Sequence, residues 1–292
     1  MTSHYSTEYY IQILYKLLHG SLDMDSAMTL LTAPTLDAFS HSEQSESVED
    51  SLWMLWAAFN RVAGESPASD EAAQGKLVEC LAAIKRLPPV MVINEGGEKE
   101  QYRNWGGRVW DDLPIFGANM REDWNWFDPP ETDPERNQKR TQWINLNAFV
   151  ARITDAHVMD FELYAIWALR RALEENEFAE VVINSDSETT SSSSLDADIP
   201  TAAQWIFIAG SLIYSSERAW ILGPGEGNPA RGGPLLQSPD TQGFSRERWQ
   251  FWKNGFAQAG RYTGLRLNEK TKTVARKAYE RMGEIESEGQ PV

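Results

Sequence analysis

The 292-residue chain has one cysteine, Cys80, and four histidines. A lone cysteine cannot close an intramolecular disulfide and points to a reducing compartment. Cys80 lies in the apolar-periodic run Leu77-Val78-Glu79-Cys80-Leu81 with no histidine pattern beside it. A buried, inert thiol is expected there, not a nucleophile. His4, His19, His41 and His157 show no ligand spacing, so no metal site is expected. Basic charge is also scarce: 27 Lys and Arg against 43 Asp and Glu leave a net charge of -16. Nucleic-acid binding through a general basic surface needs clustered cations and is excluded. Anionic membrane surfaces are disfavoured for the same reason. No apolar run approaches the ~18 residues of a membrane span. Residues 1–20 carry neither a basic n-region nor a small-residue cleavage site and read as a structural helix. Walker spacing, a GxGxxG after a strand and a GxSxG are all missing, so no phosphate loop, no nucleophile elbow and no cofactor are expected.

What the chain does have is apolar and aromatic mass: 41% hydrophobic residues, 11% aromatics and twelve tryptophans. That is ample for a core. A mean hydropathy of -0.48 fits helices with exposed charged faces. Apolar residues recur at helical spacing over 5–19, through Tyr9, Tyr10, Ile13, Leu14, Leu17 and Leu18. A short helix is predicted over 23–31, with Asp23 as N-cap and Pro34 beyond its end, and 35–46 reads as loop. Ser47 and Ser69 are the predicted caps of two further helices, the second stopped by Pro88-Pro89. A short extended piece is expected at 90–93 and a helix over 115–124. Residues 143–156 and 161–173 follow as helices, the latter apolar on nearly every side and therefore buried. A mostly apolar helix is predicted over 201–214, capped by Asp198 with Pro200 in its approach. Ser245 and Asn268 cap the last two. The glycine- and proline-rich stretch 223–243 is a long loop, of the kind that is often functional. The Ser-rich run over 184–197 cannot bury enough apolar surface to offset its ordering entropy and reads as a flexible insertion.

The expected fold is therefore all-α: one multi-helix bundle of about ten helices. It would span 1–292 as a single domain, with N-terminal helices over 5–86 and a central and C-terminal core over 105–286. The two apolar helices flanking the insertion are expected to pack together.

One segment stands out for chemistry: Asn104-Trp105-Gly106-Gly107-Arg108-Val109-Trp110-Asp111-Asp112-Leu113-Pro114, continued by Met120-Arg121-Glu122-Asp123-Trp124-Asn125-Trp126. It holds four of the twelve tryptophans. Asp111-Asp112 resembles the opening of the aspartate-rich motif of terpenoid synthases, but Ile115 stands where an acid is needed and no partner motif follows. Two readings fit the segment. In one, the tryptophans plug a core, Asp111 or Asp112 caps a turn and Arg108 and Arg121 form salt bridges. In the other, Trp105, Trp110 and Trp124 wall a small-molecule pocket with Arg108 and Arg121 as binding groups. Asp111, Asp112 and Glu122 are then the candidate catalytic groups, because a carboxylate among tryptophans has a raised pKa and can act as a general acid. Asn145 and Asn147, polar residues in an apolar helix, and Arg170 at the end of the buried helix are further candidate binding residues.

Several stretches together resemble a known family. They are Trp110-Asp111-Asp112-Leu113-Pro114-Ile115-Phe116-Gly117 with Met120-Arg121-Glu122, Trp143-Ile144-Asn145-Leu146-Asn147-Ala148-Phe149, Phe161-Glu162-Leu163-Tyr164-Ala165-Ile166-Trp167-Ala168-Leu169-Arg170, Ile199-Pro200-Thr201-Ala202-Ala203-Gln204-Trp205-Ile206, Gly232-Gly233-Pro234-Leu235 and Gly243-Phe244-Ser245-Arg246-Glu247-Arg248-Trp249-Gln250-Phe251-Trp252. In this order they are similar to the fungal domain-of-unknown-function family 3632. The resemblance implies a fungal, cytoplasmic, helical protein and brings no catalytic residues with it. The expected function is small-molecule binding or cofactor-independent catalysis (cyclase, isomerase or hydrolase) on an apolar molecule. The alternative is a non-catalytic protein–protein interaction or regulatory module.

Overall fold

The computed structural model describes residues 5–40, 45–93, 96–175, 194–221, 223, 227–236, 241–264 and 267–289. Ten α-helices and two small antiparallel strand pairs make up the described residues, so the all-α expectation holds. The chain divides into two compact units, Met1–Phe127 and Asp128–Val292.

In the first unit α1 (Thr7–Leu18), α2 (Met24–Ser40) and α5 (Phe116–Trp124) pack on α3 (Ser45–Glu65), with α4 (Glu71–Lys85) alongside. Tyr10, Leu14, Leu31, Leu52, Leu55, Trp56, Phe59 and Phe116 have no exposed surface and form its core. After α4 come β1 (Met91–Ile93) and β2 (Lys99–Gln101), paired antiparallel with Met91 opposite Gln101. Then β3 (Arg103–Asn104) and β4 (Gly107–Arg108) pair with Asn104 opposite Gly107. The expected extended piece at 90–93 is thus one arm of a hairpin.

The helix predicted over 23–31 is longer than expected. Asp23 caps it, accepting from the Ser26 backbone N–H at 2.8 Å. It then runs through Pro34 to Ser40. Proline has no N–H for the carbonyl four residues back, which normally ends a helix. Here the Leu30 carbonyl accepts instead from the Tyr9 hydroxyl of α1, at 3.2 Å. A tertiary donor replaces the missing intrahelical one, and residues 35–40 are helix, not loop. At α4 the cap is Asp70, which accepts from the Ala73 N–H at 3.0 Å, one residue past the predicted Ser69.

The second unit is built around α8 (Leu195–Ser215), which packs on α6 (Arg136–Asp155), α7 (Glu162–Leu173) and α10 (Glu269–Glu288), with α9 (Arg246–Arg261) against α10. The two apolar helices expected to pack together, α7 and α8, do so. Residues 184–193 of the predicted insertion lie outside the described residues; its last residues, 195–197, open α8. Burial of Leu195 (5% exposed) and Ala197 (0%) outweighs the one helical hydrogen bond that Pro200 forgoes, so α8 begins before its predicted Asp198 cap. Ser245 and Asn268 cap α9 and α10 as predicted, accepting from the Arg248 and Thr271 N–H groups at 3.1 and 2.8 Å. Gly210 of α8 lets α10 approach: a Cβ there would lie 2.6 Å from Ile285 Cδ1.

Glu174, just past α7, and Arg248, in the first turn of α9, form an ion pair with 0% and 1% of their side chains exposed. All of the polar capacity of the pair is used. Glu174 Oε1 accepts from Arg248 Nε and from Trp252 Nε1, each at 2.7 Å. Its Oε2 accepts from the Gly233 N–H at 2.6 Å and from Arg248 Nη2 at 3.1 Å. Arg248 spends its other donors on the carbonyls of Ala230 (2.7 Å), Gly243 (3.0 Å) and Arg231 (3.2 Å). The Glu174 carbonyl accepts from the Leu235 N–H at 3.0 Å. Gly233 presses so close that a Cβ on it would sit 2.6 Å from Glu174 Cβ. The loop 227–236 is therefore held to the helices through its backbone.

Removing one member of a buried pair leaves an uncompensated charge. Arg248→Met is expected to destabilise the protein by about 3–5 kcal/mol. Glu174→Gln combined with Arg248→Met should cost less than the sum of the two single variants. Urea unfolding followed by tryptophan fluorescence gives the comparison, and additive single costs would show that the two residues do not act as a pair.

Candidate functional site

The segment 103–115 owes its shape to backbone angles that side chains normally avoid. The turn between β3 and β4 is two residues long, Trp105-Gly106, with φ of 47° and 76°. Positive φ at both positions is the mark of a type I′ turn, which favours Asn-Gly. Trp110 (76°), Leu113 (45°) and Ile115 (71°) follow in the left-handed region. Such angles cost an L-residue roughly 1–2 kcal/mol each. Three of the four side chains recover this by burial: Trp110, Leu113 and Ile115 are 2%, 1% and 4% exposed. The Trp56 indole N–H also donates to the Pro114 carbonyl at 2.9 Å. Trp105 is the exception. It is 61% exposed and forms an edge-to-face pair with Trp53, with ring centroids 6.0 Å apart.

Polar groups brace this turn. Arg103 Nη1 donates to the Gly106 carbonyl at 2.9 Å. Arg108 grips Asp112 with two parallel bonds of 3.0 Å from Nε and Nη2, and its backbone N–H adds a third at 2.8 Å. Asp111 lies 3.4 Å from Arg108 Nη1 and accepts from Gln101 Nε2 at 3.1 Å. The Arg108 guanidinium and backbone N–H hold the Asp112 carboxyl down at about 2. The expectation of a raised, proton-donating carboxylate therefore fails at Asp112: it is half-exposed and bonded to a cation, not enclosed by tryptophan.

Arg108, Asp111 and Asp112 are thus brought together, on each other. Arg121 and Glu122 lie on the exposed face of α5, while Trp124 on its other face is buried. Beside them Asn60 donates to Asn119 Oδ1 (2.9 Å) and Asp123 Oδ2 (2.7 Å), tying α3 to α5. The other three candidates belong to the unit Asp128–Val292. Asn145 is buried on α6. Asn147 donates to the Trp143 carbonyl at 3.0 Å and accepts from Trp205 Nε1 at 3.1 Å, joining α6 to α8. Arg170 Nη1 reaches the carbonyls of Pro229 and Arg231 at 3.4 and 3.3 Å, and so tethers the 227–236 loop. Burial raises the Cys80 thiol to about 12, which keeps it inert at neutral pH. Among the described residues no group of three His, Cys, Asp or Glu could hold a metal ion.

A second charged cluster was not legible in the sequence. Asp128 accepts from Arg140 Nε and Nη2 and from Arg136 Nη2, each at 2.6 Å. Asp198 is 3% exposed, with Arg171 Nε 2.9 Å from its Oδ1. Burial raises its carboxyl to about 6; Asp128 adds to the rise, while Arg171 and Arg140 oppose it. In the sequence Asp198 carried only the signal of a helix cap.

These features define a class: an all-helical protein with a braced, left-handed turn at its surface and a buried, hydrogen-bond-saturated ion pair, Glu174–Arg248, in its second unit. The chain belongs to the family described as protein of unknown function (DUF3632), whose model matches residues 56–256. No curated protein and no solved structure matches it.

Asp198 makes a pH prediction. A carboxyl whose folded value is raised binds its proton more tightly in the folded state. It therefore withdraws stability as pH climbs from its ordinary value, near 4, to about 6, and the loss stays complete above that. Relative to Asp198→Asn, the wild type should lose about 3 kcal/mol at most between pH 4 and pH 7. Urea unfolding of both proteins at the two pH values measures it; a gap that stays constant with pH rules this out.

Proposed function

We propose that the protein is a non-catalytic interaction module and that the turn around Trp105 is a contact element for a protein partner. One observation carries this reading: Trp105 keeps a left-handed backbone without the burial that compensates its three strained neighbours. Uncompensated strain persists where function requires it. Tryptophan is also a favoured anchor of protein interfaces, because it offers a large, rigid face with one donor. The brace from Arg103, Arg108 and Asp112 supports pre-organisation, which lowers the entropy lost on binding.

Catalysis in the same segment is the weaker reading. Asp112, ionised down to about pH 2, has no proton to give at neutral pH. Trp110 and Trp124 are spent on packing. A cytoplasmic, fungal setting implied by the family resemblance goes with the proposal.

Replacing Trp105 with asparagine separates the two demands on it. Asparagine tolerates the left-handed turn, so Trp105→Asn should stabilise folding by about 0.5–1 kcal/mol. The same change should remove most partner binding, by about thirtyfold or more in Kd. Thermal unfolding, paired with quantitative affinity capture by wild type and variant, reads both. A variant that is less stable, or that captures the same proteins equally, would sink the proposal.

A further inference from the structure

We propose that Asp198 and Arg171 form a proton-operated clasp between α8 and α7. Ionised, Asp198 holds Arg171; neutral, it releases Arg171 and donates to the Thr201 hydroxyl of its own helix.

Three carboxylates of the unit Asp128–Val292 meet arginine largely out of water, and Asp198 is bound differently from the other two. Glu174 accepts hydrogen bonds on both oxygens, and its partner Arg248 is as buried as it is. Asp128 also accepts on both oxygens, at 2.6 Å, from the nearly covered Arg136 and Arg140. Asp198 is less well served. Arg171 Nε lies 2.9 Å from its Oδ1, yet that oxygen has no aligned hydrogen bond among the described residues. The Asp198 side chain is 2% exposed and the Arg171 side chain 34%. The anion is shut in, while the cation reaches water by a turn of its own side chain.

Neutralising Asp198 removes what holds Arg171, because a carboxylic acid attracts a guanidinium far less than a carboxylate does. The neutral form gains an O–H donor, and an idle acceptor is near. Thr201 is 2% exposed and its Oγ1 has no partner among the described residues. It stands three residues on from Asp198, on the same face of α8. Each protonation state therefore has a bond of its own to make.

The groups around Asp198 set when the clasp opens. Those acting on it are Arg171 from α7, Arg140 from α6, Asp128 ahead of α6 and the Ser194 hydroxyl at the start of α8. Arg140 is itself bound to Asp128. On α8, Asp196 accepts from the Asn268 N–H ahead of α10. Lys272 of α10 is paired with Glu269, and Arg248 of α9 with Glu174. Burial outweighs the nearby cations and brings the Asp198 carboxyl up to about 6, so mild acidification opens the clasp. The same end of α7 holds the loop 227–236 through Arg170 and Glu174. The clasp decides whether that end is also held to α8.

Nuclear magnetic resonance of the full chain follows both partners. The Asp198 carboxyl carbon and the Arg171 Nε nitrogen, assigned with Arg171→Lys, should titrate together with one midpoint near pH 6. Asp198→Asn is neutral at every pH and should keep Arg171 at its acid-state shift throughout. Thr201→Val removes the acceptor and should lower the common midpoint by about 0.5–1 pH unit. Thr201→Ser keeps the hydroxyl and should keep the midpoint. An Arg171 shift that ignores pH, separate midpoints for the two groups, or Asp198→Asn with Arg171 at its wild-type neutral-pH shift would overturn the inference. So would a Thr201→Val midpoint at or above that of the wild type, or a Thr201→Ser midpoint as low as that of Thr201→Val.

Discussion

The buried ion pair of Glu174 and Arg248 is the interaction on which the unit Asp128–Val292 depends. Taking both charges out of water is costly, and their mutual attraction alone seldom recovers it. Here the recovery comes from saturation: the carboxylate and guanidinium satisfy one another and also bind Trp252, Gly233, Ala230, Arg231 and Gly243. The pair thereby gives a loop with little apolar surface a defined place in the fold. It also accounts for much of what makes the family resemblance recognisable. Gly232-Gly233-Pro234-Leu235 supplies the N–H groups that Glu174 needs. Gly243-Phe244-Ser245-Arg246-Glu247-Arg248 supplies the cap and the guanidinium. At Gly243 a Cβ would fall 2.0 Å from the Arg218 carbonyl oxygen, so the residue is set by close backbone approach. Over residues 227–236, this glycine-rich loop is held in place by the ion pair through its backbone.

The unit Met1–Phe127 uses strain in the opposite way. Its left-handed residues are anchored by side chains sunk in the core, with one left outside. Burial explains why Trp110, Leu113 and Ile115 stay where they are, and nothing comparable explains Trp105. The difference between those four residues is what turns an oddity of backbone geometry into a statement about function.

The helices were readable because apolar residues repeat with the helical period, and the caps Asp23, Ser245 and Asn268 were readable because Asp, Ser and Asn can accept from a free N–H. The expected caps Ser47, Ser69 and Asp198 were not, since α3 already begins at Ser45, Asp70 caps α4 and α8 begins at Leu195. Reading failed where a distant residue decided the outcome. Pro34 ends a helix on local rules, and α2 continues with the Tyr9 hydroxyl, 21 residues away in sequence, serving the Leu30 carbonyl that Pro34 leaves without a donor. Asp198 looks like a cap because the burial of Leu195 and Ala197 is a tertiary event. Glu174 sits in a polar helix end and gives no local sign of a partner 74 residues onward. At the candidate site, the density of tryptophan and charge correctly marked an unusual segment. The left-handed angles were invisible because no glycine announces them at 105, 110, 113 or 115. The chemistry of Asp112 was misjudged because the turn over 108–112, in which the Asp112 N–H donates to the Arg108 carbonyl and the two side chains meet, is not written in residue types.

If the ion pair does hold the 227–236 loop as part of the folded core, the loop's amides should report it. Native-state hydrogen exchange at the Gly233 and Leu235 N–H groups is the direct measurement. Both should exchange as slowly as the amides at the centre of α8, opening only when the whole unit unfolds, and both should speed up sharply in Arg248→Met. Fast exchange of Gly233 and Leu235 in the wild type, at rates typical of a surface loop, would show that the pair does not hold the loop and that its glycines must be explained in some other way.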